Sequence, residues 1–321
     1  MLIVSTLFFS LLIGAAYGGA YPEKPITIVI NGGPGSGIDV LARFMSAVIE
    51  KKRLLPQSLP CENKSGGSGI VAMNYTYGKK GDPYFLMTAT TPFLMNNLEG
   101  TTALSYRDFV PICRLSLDEH VLIVPASSPF KTIKDVVEFA KKNPKALTVG
   151  VANASGIEAL NLFELEKALG IEISIVPFNG GGPAMIALLG GHVSMTSNNP
   201  MEAMELAKAK KVRILGTLTA ERISGLDEIP TLKEQGYNAV GYGMYRGIVA
   251  PPNFPVEAVK VLDEAFGKFA MTEEYKKFHK DNVVIPAYQD SKDFGKYLAD
   301  KSDQFERALK SNGLLKKKEK K

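Results

Sequence analysis

Histidine and cysteine are scarce in this sequence, with three of the first and two of the second among 321 residues. No close Cys/His spacing is present, so a structural or catalytic zinc site has no support. The histidines also lack a catalytic partner. His120 precedes a strand pattern, His192 follows Gly190-Gly191, and His279 sits in a charged helical pattern. Each reads as a surface or internally satisfied imidazole. Carboxylates paired for acid–base work are missing as well, so an enzyme has no constellation to stand on and no catalytic residue is assigned. Cys61 and Cys113 leave two readings open, a disulfide in an oxidising compartment or two separate buried thiols.

An excess of charge is also missing. The formal net charge is +5, of which the terminal KKKEKK (316–321) supplies five lysines and one glutamate, or +4. The near-neutral remainder excludes a nucleic-acid footprint and leaves the lysines as a solvated tail. The N-terminal residues 2–20 carry no charge, and their apolar run Leu7 to Ile13 is of the kind a secretion signal needs. Gly18 and Ala20 stand at −3 and −1 of a cut before Tyr21. The basic n-region of a signal is absent. An uncleaved anchor needs about 20 apolar residues, and here residues 14–20 are mostly Gly and Ala. A signal peptide over 1–20, cleaved after Ala20, is therefore expected, retention as an anchor being the alternative. No cysteine stands at the cut to carry a lipid.

What is present is a full core, at 45% hydrophobic and 22% charged residues, and a series of glycine-rich loops. The strand pattern ITIVI (26–30) is followed by NGGPGSG and a helix with Val40, Leu41, Phe44 and Val48 at helical spacing. NKSGGSG (63–69) follows a second strand, and YFLMTA (84–89) a third that runs into Thr90 and Thr91. Further on, VLIVP (121–125), a helix over 129–142, LTVGV (147–151), the loop NASG, a helix over 157–169 and IEISIVPF (171–178) precede NGGG. A helix from Pro183 to Leu189 follows, Pro183 suiting a first helical position. This alternation predicts two α/β lobes with mainly parallel sheets. Extended segments near 117–125 and 241–250 predict two crossovers, as in binding proteins that close on a hinge. The expected division is 21–122 plus 246–321 for lobe 1 and 123–245 for lobe 2.

Glycine loops that follow strands and precede helices lie at the edge where open sheets bind ligands. A helix N-terminus offers free N–H groups and a positive dipole end to an anion. Ser36-Gly-Ile-Asp39 and Ser155-Gly-Ile-Glu158 have capping-box spacing. A carboxylate is thus expected to be held by backbone donors; no arginine presents itself as a pocket residue, which leaves the identity of the acid open. Gly32 to Gly37 fits neither G-x-G-x-x-G nor a P-loop, and Gly66-Gly67-Ser68-Gly69-Ile70 misses G-x-S-x-G at its last position. Dinucleotide, nucleotide and hydrolase readings are excluded, and no cofactor is expected.

At these loops the chain resembles the substrate-binding proteins of tripartite tricarboxylate transporters, the Bug family, over about Tyr21 to Leu298. The resemblance is carried by YPEKPITIVI, the glycine loop with Asp39 and Ala42-Arg43, and Glu62-Asn63-Lys64 with Gly66 and Gly69. It continues through Asp82-Pro83-Tyr84, Tyr106, Asp108-Phe109, Pro111-Ile112, and Val176 to Gly181 with Pro183-Ala184 and Leu188 to Gly191. Ile229-Pro230-Thr231, Glu234-Gln235-Gly236 and Gly247 to Pro251 complete it. It implies a type II periplasmic-binding-protein fold, a periplasmic location, and a monomer that passes a small organic carboxylate to a membrane permease. A sensory receptor of the same fold is the alternative. The ligand-binding positions it implies are Gly35, Ser36, Gly37, Asp39, Thr88 and Thr90 in the first lobe. In the second they are Asn153, Ser155, Gly156, Phe178, Asn179, Gly180 and Gly181. For Asp39, helix capping and contact with a ligand amine remain equal alternatives. The chain departs from the family at Asn31-Gly32, at Ala159 in place of a histidine, and at Tyr245 in place of a tryptophan.

Overall fold

The computed structural model describes residues 21–151, 157–178 and 181–315. The chain starts with β1 (Thr27–Ile30), α1 (Gly37–Lys51), β2 (Cys61–Asn63), α2 (Ile70–Tyr77), β3 (Phe85–Thr90), α3 (Pro92–Leu98) and β4 (Val110–Asp118). It then builds β5 (Val121–Pro125), α4 (Ile133–Lys142), β6 (Leu147–Val151), α5 (Ile157–Leu169), β7 (Ile173–Pro177) and α6 (Gly181–Leu189). Next come β8 (Met195–Asn198), α7 (Pro200–Lys208) and β9 (Val212–Thr217). It ends with β10 (Met244–Ala250), α8 (Val256–Ala270), α9 (Glu273–Asn282), β11 (Ile285–Gln289) and α10 (Ser291–Ser311).

Two sheets result, ordered β11-β4-β10-β3-β1-β2 and β7-β6-β8-β5-β9. The fold is thus two α/β lobes. The chain leaves the first sheet after Asp118, enters the second at Val121, and is back in the first at Met244. The two connections touch, since Leu218 N–H donates to the His120 carbonyl at 3.0 Å and Gly241 N–H to the Leu218 carbonyl at 2.8 Å. Neither sheet is mainly parallel. β1 pairs in parallel with β2 and β3, and β6 with β7 and β8. The strands that enter or leave a lobe, β4, β5 and β10, pair antiparallel. A chain that crosses over and returns must come back in the opposite sense.

Helices cover both faces of each sheet. In β1, Ile28 and Ile30 face a core formed with Leu41, Met45 and Ile49 of α1 and Phe266 and Phe269 of α8. Val29 points to the other face, against Met87, Phe93, Tyr245 and Phe294. This is the period-2 alternation of a strand buried on both sides. The second sheet repeats the arrangement, with Leu147, Leu162 and Leu165 on one face and Met185, Leu188 and Ile214 on the other.

Several boundaries differ from expectation for identifiable reasons. The buried stripe of α1 is Ile38, Leu41, Ala42, Met45, Val48 and Ile49, whereas Val40 is 38% exposed. α4 begins at Ile133 because Thr132 and Asp135 form a reciprocal capping box. α6 begins at Gly181, not Pro183, and tolerates the proline because first-turn N–H groups have no intrahelical partner. Elements α7, α9 and β11 carry too little apolar periodicity to be legible. Cys61 and Cys113 are both free thiols, which settles the alternative left open above. His120 and His279 are buried, and His279 is held by Ser116 Oγ at 2.6 Å and the Tyr275 carbonyl at 2.7 Å. The N-terminal segment 1–20 and the lysine tail 316–321 lie outside the described residues.

Candidate functional site: a cleft between the two lobes

Strands β1 and β3 run parallel and end side by side. Their ends are clamped by Asn31. Its backbone N–H donates to Thr88 Oγ1 at 2.9 Å, and its Nδ2 donates to Thr90 Oγ1 at 3.0 Å. Its Oδ1 accepts from Thr88 Oγ1 at 2.7 Å. Asn31 is therefore the anchor of the first glycine loop.

Beyond it the loop is tight. A Cβ on Gly32 would lie 2.5 Å from Ser36 Oγ, and Gly35 takes φ +76°, so both positions demand glycine. Ser36 stands at the N-cap of α1, yet its hydroxyl makes no capping bond and is buried without a partner. Asp39 organises the loop instead. It is 4% exposed, and its carboxylate accepts from Gly35 N–H at 2.9 Å, Asn63 Nδ2 at 2.9 Å and Arg43 Nε at 2.9 Å. Burial alone would raise its pKa. The Gly35 N–H, the Asn63 amide and the Arg43 guanidinium outweigh that and hold it below its ordinary value.

The cleft has a volume of about 520 Å³. One wall is the first-lobe loops, with Asn31, Gly35, Ser36, Gly37 and Thr90. The opposite wall is Asn199, Met201 and Glu202 at the start of α7, and the floor is Met244 and Arg246 of β10. Of the expected residues, Gly35, Ser36, Gly37 and Thr90 line this cavity. Asp39 and Thr88 sit behind it as supports. Phe178 packs against the second-sheet core, and Gly181 starts α6; neither lines the cavity. Asn153, Ser155, Gly156, Asn179 and Gly180 lie outside the described residues.

Two charged residues of the cleft escaped the sequence reading. Arg246 pairs across the sheet with Thr90 on one side and Ser116 on the other. That register puts its guanidinium, 5% exposed, at the N-terminus of α1, where a Cβ on Gly37 would lie 2.5 Å from Nη1. It is ion-paired to the fully buried Asp118, while its Nη1 has no hydrogen-bond partner among the described residues. The only signal was a charge inside the otherwise apolar stretch MYRGIVA. Glu202, on α7, faces Arg246 from the other lobe. Water reaches its carboxylate through the open cleft, but the walls remove much of its hydration. That desolvation, with the charge of Asp118, pushes its pKa up to about 7, against the opposing pull of His120 and Arg246.

The family model for the tripartite tricarboxylate transporter family receptor matches residues 41–314. A Cupriavidus necator protein known as the UPF0065 protein in the gbd 5' region is 29% identical over 304 residues, covering 94% of this chain and 91% of its own. Bordetella pertussis protein BugT is 25% identical over 264 residues, covering 79% of this chain and 80% of its own. Among solved structures, a TctC solute-binding protein from Polaromonas superposes with a TM-score of 0.74 at 27% identity, over 91% of this chain and 99% of that one. Rhodopseudomonas palustris Rpa4515, solved with adipate, superposes with a TM-score of 0.81 at 25% identity, over 91% of this chain and 98% of that one. The Polaromonas protein is a solute-binding protein, and this chain belongs to the tripartite tricarboxylate transporter receptor family.

Proposed function

We propose that this protein is an extracytoplasmic receptor that captures a small organic carboxylate in the interlobe cleft and delivers it to a tripartite tricarboxylate-type membrane permease. The observation that carries this reading is the cleft floor. The N-terminus of α1 and Arg246 line one cavity, so helix N–H donors and a guanidinium charge converge on a position suited to a carboxylate. The adipate bound by Rpa4515 supports the ligand class. Export behind a cleaved signal peptide, a periplasmic location and action as a monomer belong to the same reading. So does closure of the lobe that holds the first sheet on the lobe that holds the second, the changeovers falling between Asp118 and Val121 and just before Met244 and not at 122 and 246 as expected.

Calorimetric titration of the purified chain with aliphatic, hydroxy and amino carboxylates tests it. Saturable binding of at least one acid, recovered chemically unchanged, is expected, along with a raised melting temperature. No heat and no thermal shift across the whole set would overturn the proposal.

A further inference from the structure

Glu202 places a carboxylate of the protein itself at the second-lobe end of the cleft. A Cβ on Gly181, the first residue of α6, would lie 1.9 Å from Glu202 Oε2 and 2.4 Å from Oε1. The carboxylate therefore stands against the N-terminus of α6, the place where the sequence led us to expect a ligand anion. A second anionic group of a ligand cannot occupy the same space. Among the described residues no side chain or N–H donates to Glu202, and its carboxylate lines the cavity.

The charges of the lining point the same way. Arg246 and Glu202 are the charged residues lining the cavity among the described ones, and 152–156 and 179–180 are uncharged in sequence. The positive charge of Arg246 is already balanced by Asp118 beneath it. What remains is one end rich in donors, at the N-terminus of α1 beside Arg246, and one end that offers carboxylate oxygens, at Glu202. Ile38, Met201 and Met244 put apolar surface between them. A dicarboxylate would bring a second negative charge toward Glu202. A molecule with one carboxylate and one cationic nitrogen on a short aliphatic span would satisfy both ends.

We propose that the cleft selects zwitterionic amino carboxylates, the carboxylate seated at α1 beside Arg246 and the ammonium group on Glu202. The inference rests on the carboxylate-receptor reading and narrows its substrate class. Like charge opposite Glu202 disfavours the dicarboxylate, and an ammonium–carboxylate hydrogen bond favours the amino acid.

The test is calorimetric titration of the full chain with matched pairs: succinate and 4-aminobutyrate, glutarate and 5-aminopentanoate, adipate and 6-aminohexanoate. Aspartate and glutamate are run beside them. Wild type is expected to bind an amino member about tenfold or more tightly than its dicarboxylate partner. Glu202→Gln, which keeps the shape, is expected to lose about tenfold for the amino member and to hold or gain affinity for the dicarboxylate. A thermal melt of the variant establishes that it is folded. Preference of wild type for the dicarboxylates, or an unchanged ranking in Glu202→Gln, overturns this inference and leaves the receptor standing. Failure of every acid to bind overturns both.

Discussion

Replacing Asp118 with asparagine separates what the buried ion pair does for stability from what it does for the cleft. Asp118 is fully buried and Arg246 is 5% exposed. The variant leaves a guanidinium in a poorly hydrated site without its counter-charge. Removing one partner of such a pair costs about 3–5 kcal/mol. The lower end applies here, because Arg246 lines an open cleft and the asparagine carbonyl still accepts a bond. A loss of about 3 kcal/mol is therefore expected in urea unfolding at pH 7, with the slope unchanged. Ligand affinity should move the opposite way. An uncompensated guanidinium about 4 Å from a carboxylate is worth up to about 4 kcal/mol at an effective dielectric of 20. Ligand desolvation and salt consume much of that, which leaves roughly a tenfold gain in affinity, or about 1.4 kcal/mol, for the best wild-type ligand. Calorimetry at two salt concentrations reads it, the gain shrinking at high salt. The double variant Asp118→Asn/Arg246→Met should recover most of the stability and lose the tight binding. A stable Asp118→Asn protein, or one that binds more weakly, would refute the assignment of Arg246 as the carboxylate donor held in check by Asp118.

Gly37→Ala pushes a methyl group to 2.5 Å from Arg246 Nη1 and Nη2. Overpacking of about 1–3 kcal/mol outweighs a gain in helix propensity of about 1 kcal/mol at most, so the melting temperature should drop by a few degrees and carboxylate binding weaken. A raised melting temperature contradicts this. Glu202 titrates near 7 in the folded chain against an ordinary 4.5, so the fold binds its proton more tightly than the unfolded chain does. Its contribution to stability is fully present below about 4.5 and is lost as pH rises through about 7. The groups that face it are Asp118 on β4, His120 in the first connection, Arg246 on β10 and Glu158 on α5. The melting temperature of Glu202→Gln relative to wild type should rise between pH 5 and pH 8, and a flat difference would refute the shift. Cys113 is fully buried and burial pushes its thiol up, whereas Cys61 is half-buried. A maleimide should modify Cys61 alone in the native protein, and a reductant should leave the melting temperature unchanged.

Much of the fold was legible because it is local. The run ITIVI has no way to hide its side chains except between two helical layers. The helix 157–169 matched its sequence bounds because Gly170, at φ +62°, takes a left-handed turn that ends it. The first glycine loop was legible for the same kind of reason, since close approach of backbone to Ser36 and a positive φ at Gly35 leave little choice of residue.

The chemistry of the cleft was not local. Capping-box spacing placed Ser36 and Asp39 three residues apart, but Asn63 enters from β2, in register with Ile30, and draws the Asp39 carboxylate away from a simple cap. Arg246 was an ordinary charge in an extended segment until β10 paired between β3 and β4. That pairing set it against Thr90 and Gly37 and gave it a counter-ion 128 residues away in sequence. Glu202 carried no signal in the sequence, and only the packing of α6 on α7 placed it at the cavity. The sequence by itself determined most of the strands and the glycine loops, and it pointed to the N-terminus of α1 as the place proposed for an anion. Tertiary structure alone decided which charges face one another across that cleft, because ion pairs depend on distances between segments that the order of residues does not set.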